Sequence, residues 1–260
     1  MPELPDLQVF APNIFKKLTS KRLNAVEVFS PKITTPQSIL AAELAGQTLH
    51  SITRYGKELF FDFGQNRVLS AHFMLNGRAA VTNHSDAGSV RGKVLAMEFE
   101  NETLTLHDYG HIGTVIKYKP PQSRVPDAIG ENFTPDYFFN MARKKAAANI
   151  KAFLLDQQVV KGIGNAYADE ILYTAQVSPK SVTGRIPADV LVRLYTAIGT
   201  VLHSAIDSIR AIAPEIIAGE ERSFLQVHTR NKKQTATGFA IKIETVAGKT
   251  TYFTDEQVMF

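Results

Sequence analysis

The chain has 260 residues, 44% of them hydrophobic, which is enough for one large domain or two smaller ones, each with a buried core. It contains no cysteine, which excludes disulfides, cysteine-based zinc sites and a cysteine nucleophile. The formal net charge is +4, from 29 Lys and Arg against 25 Asp and Glu, and so mild an excess is weak evidence for a nucleic-acid partner by itself.

The first half of the chain predicts one helix followed by a series of short strands. Apolar residues at helical spacing over residues 7–18 predict an N-terminal helix, and Pro5 lies early enough for a helix to tolerate it. From about residue 25 to 118 the pattern changes to short apolar or alternating runs that Gly, Asn, Asp and Pro interrupt. These runs predict the strands of an antiparallel sandwich or barrel, at 59–63, 68–75, 93–100, 103–108 and 114–119.

The second half predicts helices and a terminal hairpin. Prolines and a glycine between residues 120 and 135 predict a linker. Helical periodicity follows over residues 136–217, and alternation over residues 239–243 before an Ala247-Gly248 turn predicts a β-hairpin. We therefore expect an α+β fold with a β-sandwich domain and its N-terminal helix at 1–120, a linker at 121–135, a helical domain at 136–221 and a hairpin at 222–260.

Basic residues concentrate in two parts of the sequence. Residues 143–145 are Arg-Lys-Lys, and Glu244 is the one acidic residue between positions 222 and 253. The basic residues of that second stretch are Arg222, Arg230, Lys232, Lys233, Lys242 and Lys249. Two interpretations stay open for these clusters: solvated faces, or a surface that follows the phosphates of a nucleic acid.

The N-terminal sequence MPELPD is the first motif with chemical potential. A Met before a small residue such as Pro is usually removed, which would leave Pro2 with a free secondary amine. An α-amine has a pKa of about 7.7–8.0, so a useful fraction is neutral near pH 7 and can attack a sugar C1′ to form an iminium. Glu3 beside it could donate or shuttle a proton. These residues alone also fit an ordinary N-terminus that starts a helix.

Lys57 lies in the sequence GKELFF, in a turn before an apolar strand. Two interpretations are open at this position. The side chain is either a solvated hairpin lysine, or a phosphate or lesion contact at the tip of the hairpin.

A third motif covers residues 154–173, where one helix ends and a second begins. Gly162 and Gly164 between them allow a positive φ and a close approach of the backbone to a ligand. Asn165 is a good N-cap for the second helix. The exposed N–H groups at that helix start could hold a phosphate.

These three segments, in this order, resemble those of the Fpg/Nei family of bifunctional DNA glycosylases. MPELPD is similar to the family's N-terminal signature, GKELFF to its lysine hairpin, and DQQVVKGIGNAYADEILY to its helix-two-turns-helix. The resemblance implies that Pro2 is the nucleophile and Glu3 the general acid. It also implies that Lys57 contacts DNA near the lesion and that Asn165 holds a phosphate beside the extruded nucleotide.

The C-terminal hairpin departs from most bacterial members of the family, which end in a four-cysteine zinc finger. The sequence RNKKQTATGFAIKIETVAGKTTYF resembles the metal-free version of that finger in the zincless Nei-like branch. Lys249 stands where the family has an arginine. We expect Phe239, Ile241, Ile243 and Tyr252 to build a small apolar face without a metal.

Two loops and one N-terminal position also differ from the family. DYGHIG at 108–113 replaces a loop whose Arg and Phe fill the gap left by the flipped base, so His111 stands at the Arg position and Ile112 at the Phe position. HFMLNG at 72–77 makes Leu75 the intercalating residue, and Asp6 replaces a glutamate. We assign catalytic roles to Pro2, Glu3, Lys57 and Lys249, and DNA contacts to His72, Leu75, His111, Lys161, Gly164, Asn165 and Arg230.

The function implied by the resemblance is a glycosylase and AP lyase that excises oxidised bases through a Pro2 Schiff base and β,δ-elimination. It requires damaged double-stranded DNA, and no metal or organic cofactor. The altered loop at 108–113 raises the alternative of a catalytically weak DNA-damage binding protein. An RNA-binding module is a third possibility, because helix-two-turns-helix elements also occur in ribosomal proteins.

Substrate and location are expected as follows. Residues 204–222 are short and helical in pattern, without the long Gly-rich loop that caps 8-oxoguanine in Fpg-type enzymes, which favours oxidised pyrimidines, hydantoins or abasic sites. No run of eighteen apolar residues and no secretory N-terminus occur, so we expect a cytoplasmic, nucleoid-associated monomer that does not contact membranes.

Overall fold

A computed structural model describes residues 1–110 and 113–260 of the chain. The predictions for His111 and Ile112 lie outside the described residues. The chain divides into two compact units, the first formed by Met1–Gln122 with Ile209–Glu220 and the second by Ser123–Ser208 with Glu221–Phe260. Among the described residues, no helix is both long and apolar enough to cross a membrane.

The first unit is an N-terminal helix followed by a β-sandwich, as the sequence predicts. Within the described residues its strands form two four-stranded antiparallel sheets, in the orders β1-β6-β7-β5 and β2-β3-β4-β8. The elements are α1 (Leu4–Leu18), β1 (Leu23–Val28), α2 (Gln37–Leu44), β2 (Ser51–Tyr55), β3 (Glu58–Asp62), β4 (Val68–His72), β5 (Arg78–Asn83), a 3₁₀ turn (His84–Ser89), β6 (Lys93–Phe99), β7 (Glu102–His107) and β8 (Val115–Tyr118).

Helix α1 packs one apolar face into the core that both sheets share. The face repeats every three to four residues through Leu7, Phe10, Ile14 and Leu18, all of them buried. The helix begins at Leu4, three residues earlier than the apolar periodicity indicates, because Pro5 is accommodated in the first turn, where its missing N–H is not needed. The start of the chain is therefore held by the core of the first unit.

The second unit is helical and carries the C-terminal hairpin, again as predicted. Its elements are α3 (Pro135–Lys144), α4 (Ile150–Leu155), α5 (Asn165–Thr174), a 3₁₀ turn (Thr183–Arg185), α6 (Ala188–Ile212), β9 (Lys242–Val246) and β10 (Lys249–Phe253). The last residues of α6 group with the first unit. A two-residue turn at Ala247 and Gly248 joins β9 to β10, and both residues have positive φ, +51° and +70°, as a type I′ hairpin requires.

The apolar face predicted for the hairpin is wrong. Phe239 is 46% exposed and Ile243 is 58% exposed, whereas Tyr252 and Phe253 on the other strand are buried. The physical reason is that β10 packs on the helices of the second unit, while four of the five residues of β9 face solvent. Alternation identifies two faces of a strand but does not say which of them another element covers.

Candidate active site and DNA interface

The start of α1 places the predicted nucleophile and acid in a closed environment. Pro2 is buried, and Glu3, the N-cap residue of α1, is 4% exposed. The backbone N–H of Glu3 donates to Oδ2 of Asp6 at 2.8 Å, which fixes the first turn. Asp6 is itself fully buried, so the aspartate that replaces the family's glutamate serves as a cap at this position. The buried carboxylate of Glu3 is therefore adjacent in the chain to Pro2, the predicted nucleophile.

A second carboxylate lies at the N-terminus of the chain. The ammonium group of Met1 forms an ion pair with Glu220, in the segment Ile209–Glu220 that completes the first unit. The side-chain amide of Asn13 in α1 donates to the carbonyls of Pro214 and Ile216, both at 2.8 Å, and holds this segment in place. Sequence reasoning missed Glu220, because a pairing across more than two hundred positions leaves no local pattern.

Lys57 occupies the predicted hairpin turn, between β2 and β3. Gly56 before it has φ of +59°, which lets the two strands turn within two residues. Arg54 supports the turn by donating from Nη1 to the carbonyl of Gly56 at 3.2 Å, and its Nε donates to Oε1 of Gln8 in α1 at 2.7 Å. The hairpin that carries Lys57 is therefore fastened to the helix that follows Glu3.

The predicted intercalating residue, Leu75, is 75% exposed at the tip of the loop after β4. At the base of that loop, Nδ1 of His72 accepts the N–H of Met74 at 3.1 Å. Burial lowers the pKa of His72, which favours the neutral imidazole that this hydrogen bond needs. The observed contact of His72 thus supports the loop, and its predicted contact with DNA stays a prediction.

Asp108 organises the neighbouring loop at 108–114. Its fully buried carboxylate accepts the N–H groups of Gly110, Gly113 and Thr114 at 3.0–3.1 Å. Burial alone would raise the pKa of Asp108, but these donors outweigh it and lower the pKa, so the group is a carboxylate at neutral pH. A Cβ on Gly113 would lie 2.7 Å from Cβ of Met74, so glycine lets the two loops touch.

In the second unit, the turn between α4 and α5 differs from the prediction in one respect. Gly162 has φ of +105°, as predicted, but Gly164 is in ordinary extended backbone at φ −118° and is itself the N-cap of α5. The prediction that Asn165 is the N-cap is wrong, because Asn165 is the first helical residue and its side-chain N–H donates to the carbonyl of Thr250 at 2.9 Å. Asn165 therefore joins this turn to β10.

Gln157 braces the same turn and was missed from the sequence. Its side-chain N–H groups donate to the carbonyls of Leu155 and Ile163, at 3.0 and 2.9 Å, and its Oε1 accepts the N–H of Gly162 at 3.0 Å. One amide thus satisfies three backbone groups of a turn that could not otherwise pair them within a helix.

Of the two further residues predicted to contact DNA, Lys161 is half-buried and Arg230 is exposed. The backbone of Lys161 pairs with residues 126–128, its N–H donating to Pro126 and its carbonyl accepting from Ala128. Arg230 follows Thr229 in a turn ahead of the hairpin. The contacts of both with DNA stay predictions.

A buried charge cluster anchors β10 to the helices. Nζ of Lys151 in α4 lies 2.7 Å from Oδ1 of Asp169 in α5, and both side chains are fully buried. Lys151 also donates to the hydroxyl of Thr251 at 2.6 Å. The second oxygen of Asp169 accepts the N–H of Tyr252 at 3.0 Å and lies 2.7 Å from Nδ1 of His228. One buried ion pair therefore holds α4, α5 and β10 together.

Glu170, the next residue of α5, fixes the chain ahead of the hairpin. Its carboxylate accepts the backbone N–H groups of Gln226, Val227 and His228 at 2.7–2.8 Å. Burial raises the pKa of Glu170, although these three donors act in the opposite direction. The segment that precedes the hairpin is thus fastened to α5.

The second unit brings Asn165 and Lys249 to neighbouring places. Lys249 is the first residue of β10 and is exposed, and the carbonyl of the next residue, Thr250, accepts the amide N–H of Asn165. The predicted site residues therefore fall into two groups: Pro2, Glu3, Lys57, His72 and Leu75 in the first unit, and Lys161, Gly164, Asn165, Arg230 and Lys249 in the second.

Comparison with known proteins gives consistent matches along the chain. The model of the formamidopyrimidine-DNA glycosylase N-terminal domain matches residues 1–115, and that of the formamidopyrimidine-DNA glycosylase H2TH domain matches residues 125–213. The formamidopyrimidine-DNA glycosylase of Carboxydothermus hydrogenoformans is 30% identical over 240 residues, 89% of each chain. That of Lactococcus lactis subsp. lactis is 28% identical and covers 97% of each chain.

Solved structures of a bacterial relative are similar over nearly the whole chain. A complex of Lactococcus lactis Fpg with DNA that contains an abasic site has a TM-score of 0.86 at 25% identity, covering 97% of this chain and 98% of that one. A complex of the same wild-type protein with DNA that contains an oxidised pyrimidine has a TM-score of 0.85 at 26% identity, with the same coverage.

Asp169→Asn is expected to destabilise the second unit, because it leaves the ammonium group of Lys151 buried without its opposite charge. Breaking one partner of a buried pair typically costs about 3–5 kcal/mol. The matched control is Glu244→Gln, which breaks an exposed pair with Lys180 and should cost less than about 1 kcal/mol. Thermal unfolding followed by circular dichroism measures both. Equal shifts in the two variants would contradict an anchoring role for the buried pair.

Proposed function

Because the chain belongs to the formamidopyrimidine-DNA glycosylase family and is a DNA glycosylase with AP lyase activity, we propose that the amine of Pro2 carries out both steps on oxidised bases. The observation that carries this proposal is the buried start of α1, where Glu3 follows directly after Pro2 and is held by the N-cap geometry of the helix. The damage-binding and RNA-binding alternatives are not favoured by any of these matches.

The proposed reaction begins with extrusion of the damaged nucleotide, because C1′ is not accessible in a stacked duplex. The lone pair of the neutral Pro2 amine forms a bond to C1′, while the bond from C1′ to the base breaks and the departing base takes a proton from Glu3. The Glu3 carboxylate then takes the proton of the attached nitrogen and passes it to O4′ as the bond from C1′ to O4′ breaks, which gives an iminium and acidifies the 2′ proton. Loss of that proton expels the 3′ phosphate, a second elimination expels the 5′ phosphate, and water then releases the amine.

In the first unit, Lys57 is proposed to contact a phosphate close to the reacting sugar. Its hairpin is fastened to α1 through Arg54 and Gln8, so the turn that carries Lys57 has a fixed relation to that helix. Leu75 is proposed to enter the duplex in place of the extruded nucleotide, since a large apolar side chain that is 75% exposed otherwise gains nothing from its position.

In the second unit, Asn165 and Lys249 are proposed to hold the phosphates that flank the extruded nucleotide. One N–H of the Asn165 amide bonds to the carbonyl of Thr250, and we assign the other to a phosphate oxygen, together with the N–H groups at the start of α5. Lys161, Gly164 and Arg230 are assigned to the same backbone-following surface. Lysine at 249 supplies a point charge in place of the family's bidentate arginine.

The proposed substrates are oxidised pyrimidines, hydantoins and abasic sites in double-stranded DNA. The segment that follows α6 is short and is fastened to α1 by Asn13, which leaves no length for a loop that would cap a bulky oxidised purine. Solved complexes of the Lactococcus lactis relative contain an abasic site in one case and an oxidised pyrimidine in the other. We further propose that the protein acts as a monomer, in the cytoplasm at the nucleoid.

Retention of Met1 is expected to abolish the covalent chemistry. An N-terminal extension that blocks removal of Met1 converts the Pro2 amine into an amide, so borohydride should no longer trap a protein–DNA adduct while DNA binding persists. Pro2→Ala with normal processing is the control, because alanine still provides a terminal amine and should retain part of the trapping. Undiminished trapping in the extended protein would rule out Pro2 as the nucleophile.

Glu3→Gln is expected to separate the two steps of the reaction. It keeps the shape of the side chain and removes the proton, so base excision should fall by about 10²–10⁴-fold, the usual range for general acid–base catalysis. Cleavage at a pre-formed abasic site should fall less, since no base has to leave. Asp6→Asn changes the buried carboxylate of the cap and controls for structural damage. Equal losses on both substrates would contradict the assignment of Glu3 as the acid.

Lys249→Ala is expected to weaken binding to lesion DNA and to lower the dependence of log Kd on log salt by about one unit. Lys249→Arg should retain or raise activity, because it restores the fork of donors. Lys242→Ala removes the same charge from the opposite end of the hairpin, where Asp255 pairs with it, and should change the salt slope little. If Lys249→Ala changes neither the salt dependence of log Kd nor turnover, Lys249 is a solvated turn residue without a role in DNA binding.

A further inference from the structure

Four polar side chains meet at the open end of the β9–β10 hairpin. Oε1 of Glu256 accepts the hydroxyl of Thr237 at 2.7 Å, and Oε2 accepts the hydroxyl of Thr254 at 3.1 Å and lies 3.4 Å from the hydroxyl oxygen of Thr235. Thr235 and Thr254 are buried. This group, Thr235, Thr237, Thr254 and Glu256, is called the carboxylate clasp below. It joins the segment that leads into β9 to the segment that leaves β10.

Each side of the clasp is held by its own hydrogen bonds. On the first side, the hydroxyls of Thr235 and Thr237 lie 2.7 Å apart, and the N–H of Thr235 donates to the carbonyl of Phe239 at 2.9 Å. On the second side, Oε1 of Gln257 accepts the N–H of Thr254 and its Nε2 donates to the carbonyl of Val177, both at 2.9 Å. Glu256 therefore links two preformed turns, of which the second is fastened to the body of the unit.

A zinc ion, which most bacterial members of the family hold in this finger, does not fit these residues. Structural zinc takes thiolates, imidazoles or carboxylates, usually four of them, and Glu256 is the single such group of the clasp. The other members are neutral hydroxyls. Nor does the described part of the chain contain any group of three or more His, Asp or Glu side chains that could hold a metal ion.

The hairpin needs a tie at this end because of how its two strands are packed. A two-stranded hairpin alone is marginal in water. Strand β10 is anchored through Thr251 and Tyr252 to the charge cluster, whereas four of the five residues of β9 are exposed and bury little surface. Strand β9 is therefore held mainly by its pairing with β10, and its first residues are the least stabilised part of the hairpin. The clasp lies at this end.

We propose that Glu256 is a positioning residue for Lys249: through hydroxyl hydrogen bonds to the segments on both sides of the hairpin, its carboxylate does what a metal ion does in a zinc finger, and so fixes the hairpin whose turn presents Lys249. The proposal rests on the proposed role of Lys249 in binding DNA. Hydrogen bonds to a charged acceptor are stronger than neutral ones, which makes a carboxylate an effective hub.

Hydrogen exchange of the full-length protein tests the clasp without DNA. In Glu256→Ala the paired amides of β9 and β10 should exchange about ten- to a hundredfold faster, as expected for lost hydrogen bonds to a charged group. Thr237→Val, a milder change, should give a smaller increase. Asp255→Asn is the matched control: it breaks the exposed ion pair with Lys242 at the same end of the hairpin, and an exposed pair should change the exchange rates by less than about fivefold. Unchanged exchange in both clasp variants would overturn the proposal, as would slower exchange on adding zinc to the wild-type protein.

A double-mutant cycle then tests whether the clasp acts through Lys249. The loss of lesion-DNA affinity on Lys249→Ala is measured in the wild type and in the Glu256→Ala or Thr237→Val background. Positioning predicts a clearly smaller loss in the clasp variants, and the same fold-loss in every background would overturn it. No loss in the wild type would refute the role of Lys249 and its positioning by Glu256, while the exchange data would still decide whether the clasp holds the hairpin.

Discussion

The ion pair of Lys151 with Asp169 is the interaction on which the second unit most depends. Both charges are withdrawn from water, so each is tolerable only while the other is present. The same two side chains also bond to Thr251 and Tyr252 of β10, and Asp169 to His228, so docking of the strand and neutralisation of the charges depend on the same groups. Lys151 and Asp169 consequently position both the turn that carries Asn165 and the strand that begins at Lys249.

Local patterns in the sequence were sufficient for the elements that local physics determines. Helix α1 follows from its apolar spacing, and a hairpin turn at Ala247 and Gly248 follows from the glycine between two strand patterns, although the positive φ of Ala247 does not. The order of helix, sandwich, helices and hairpin was predictable for the same reason. The short helix α2 was not, because its eight residues bury just Leu40 and Leu44, too few to establish a period.

The remaining features could not be read locally because they depend on partners far along the chain. Asn165 was expected to cap its own helix, yet Thr250, eighty-five positions later, takes its amide. Whether β9 or β10 is covered depends on the helices, so alternation in β9 was misleading. Glu256 lies in a polar, turn-like sequence, where a structural hub and a solvated carboxylate look the same. Lys151 gave a weak signal, a charge within the apolar run IKAFLL.

The first unit is discontinuous along the chain, since Ile209–Glu220 completes it after most of the second unit has intervened. Ile216 and Ile217 pack against its core, and Asn13 satisfies carbonyls of that returning segment. During synthesis, therefore, the sandwich emerges from the ribosome well before its last piece, and the helical unit has largely emerged by the time the piece arrives. A fragment cut after the sandwich would lack this strip and expose apolar surface.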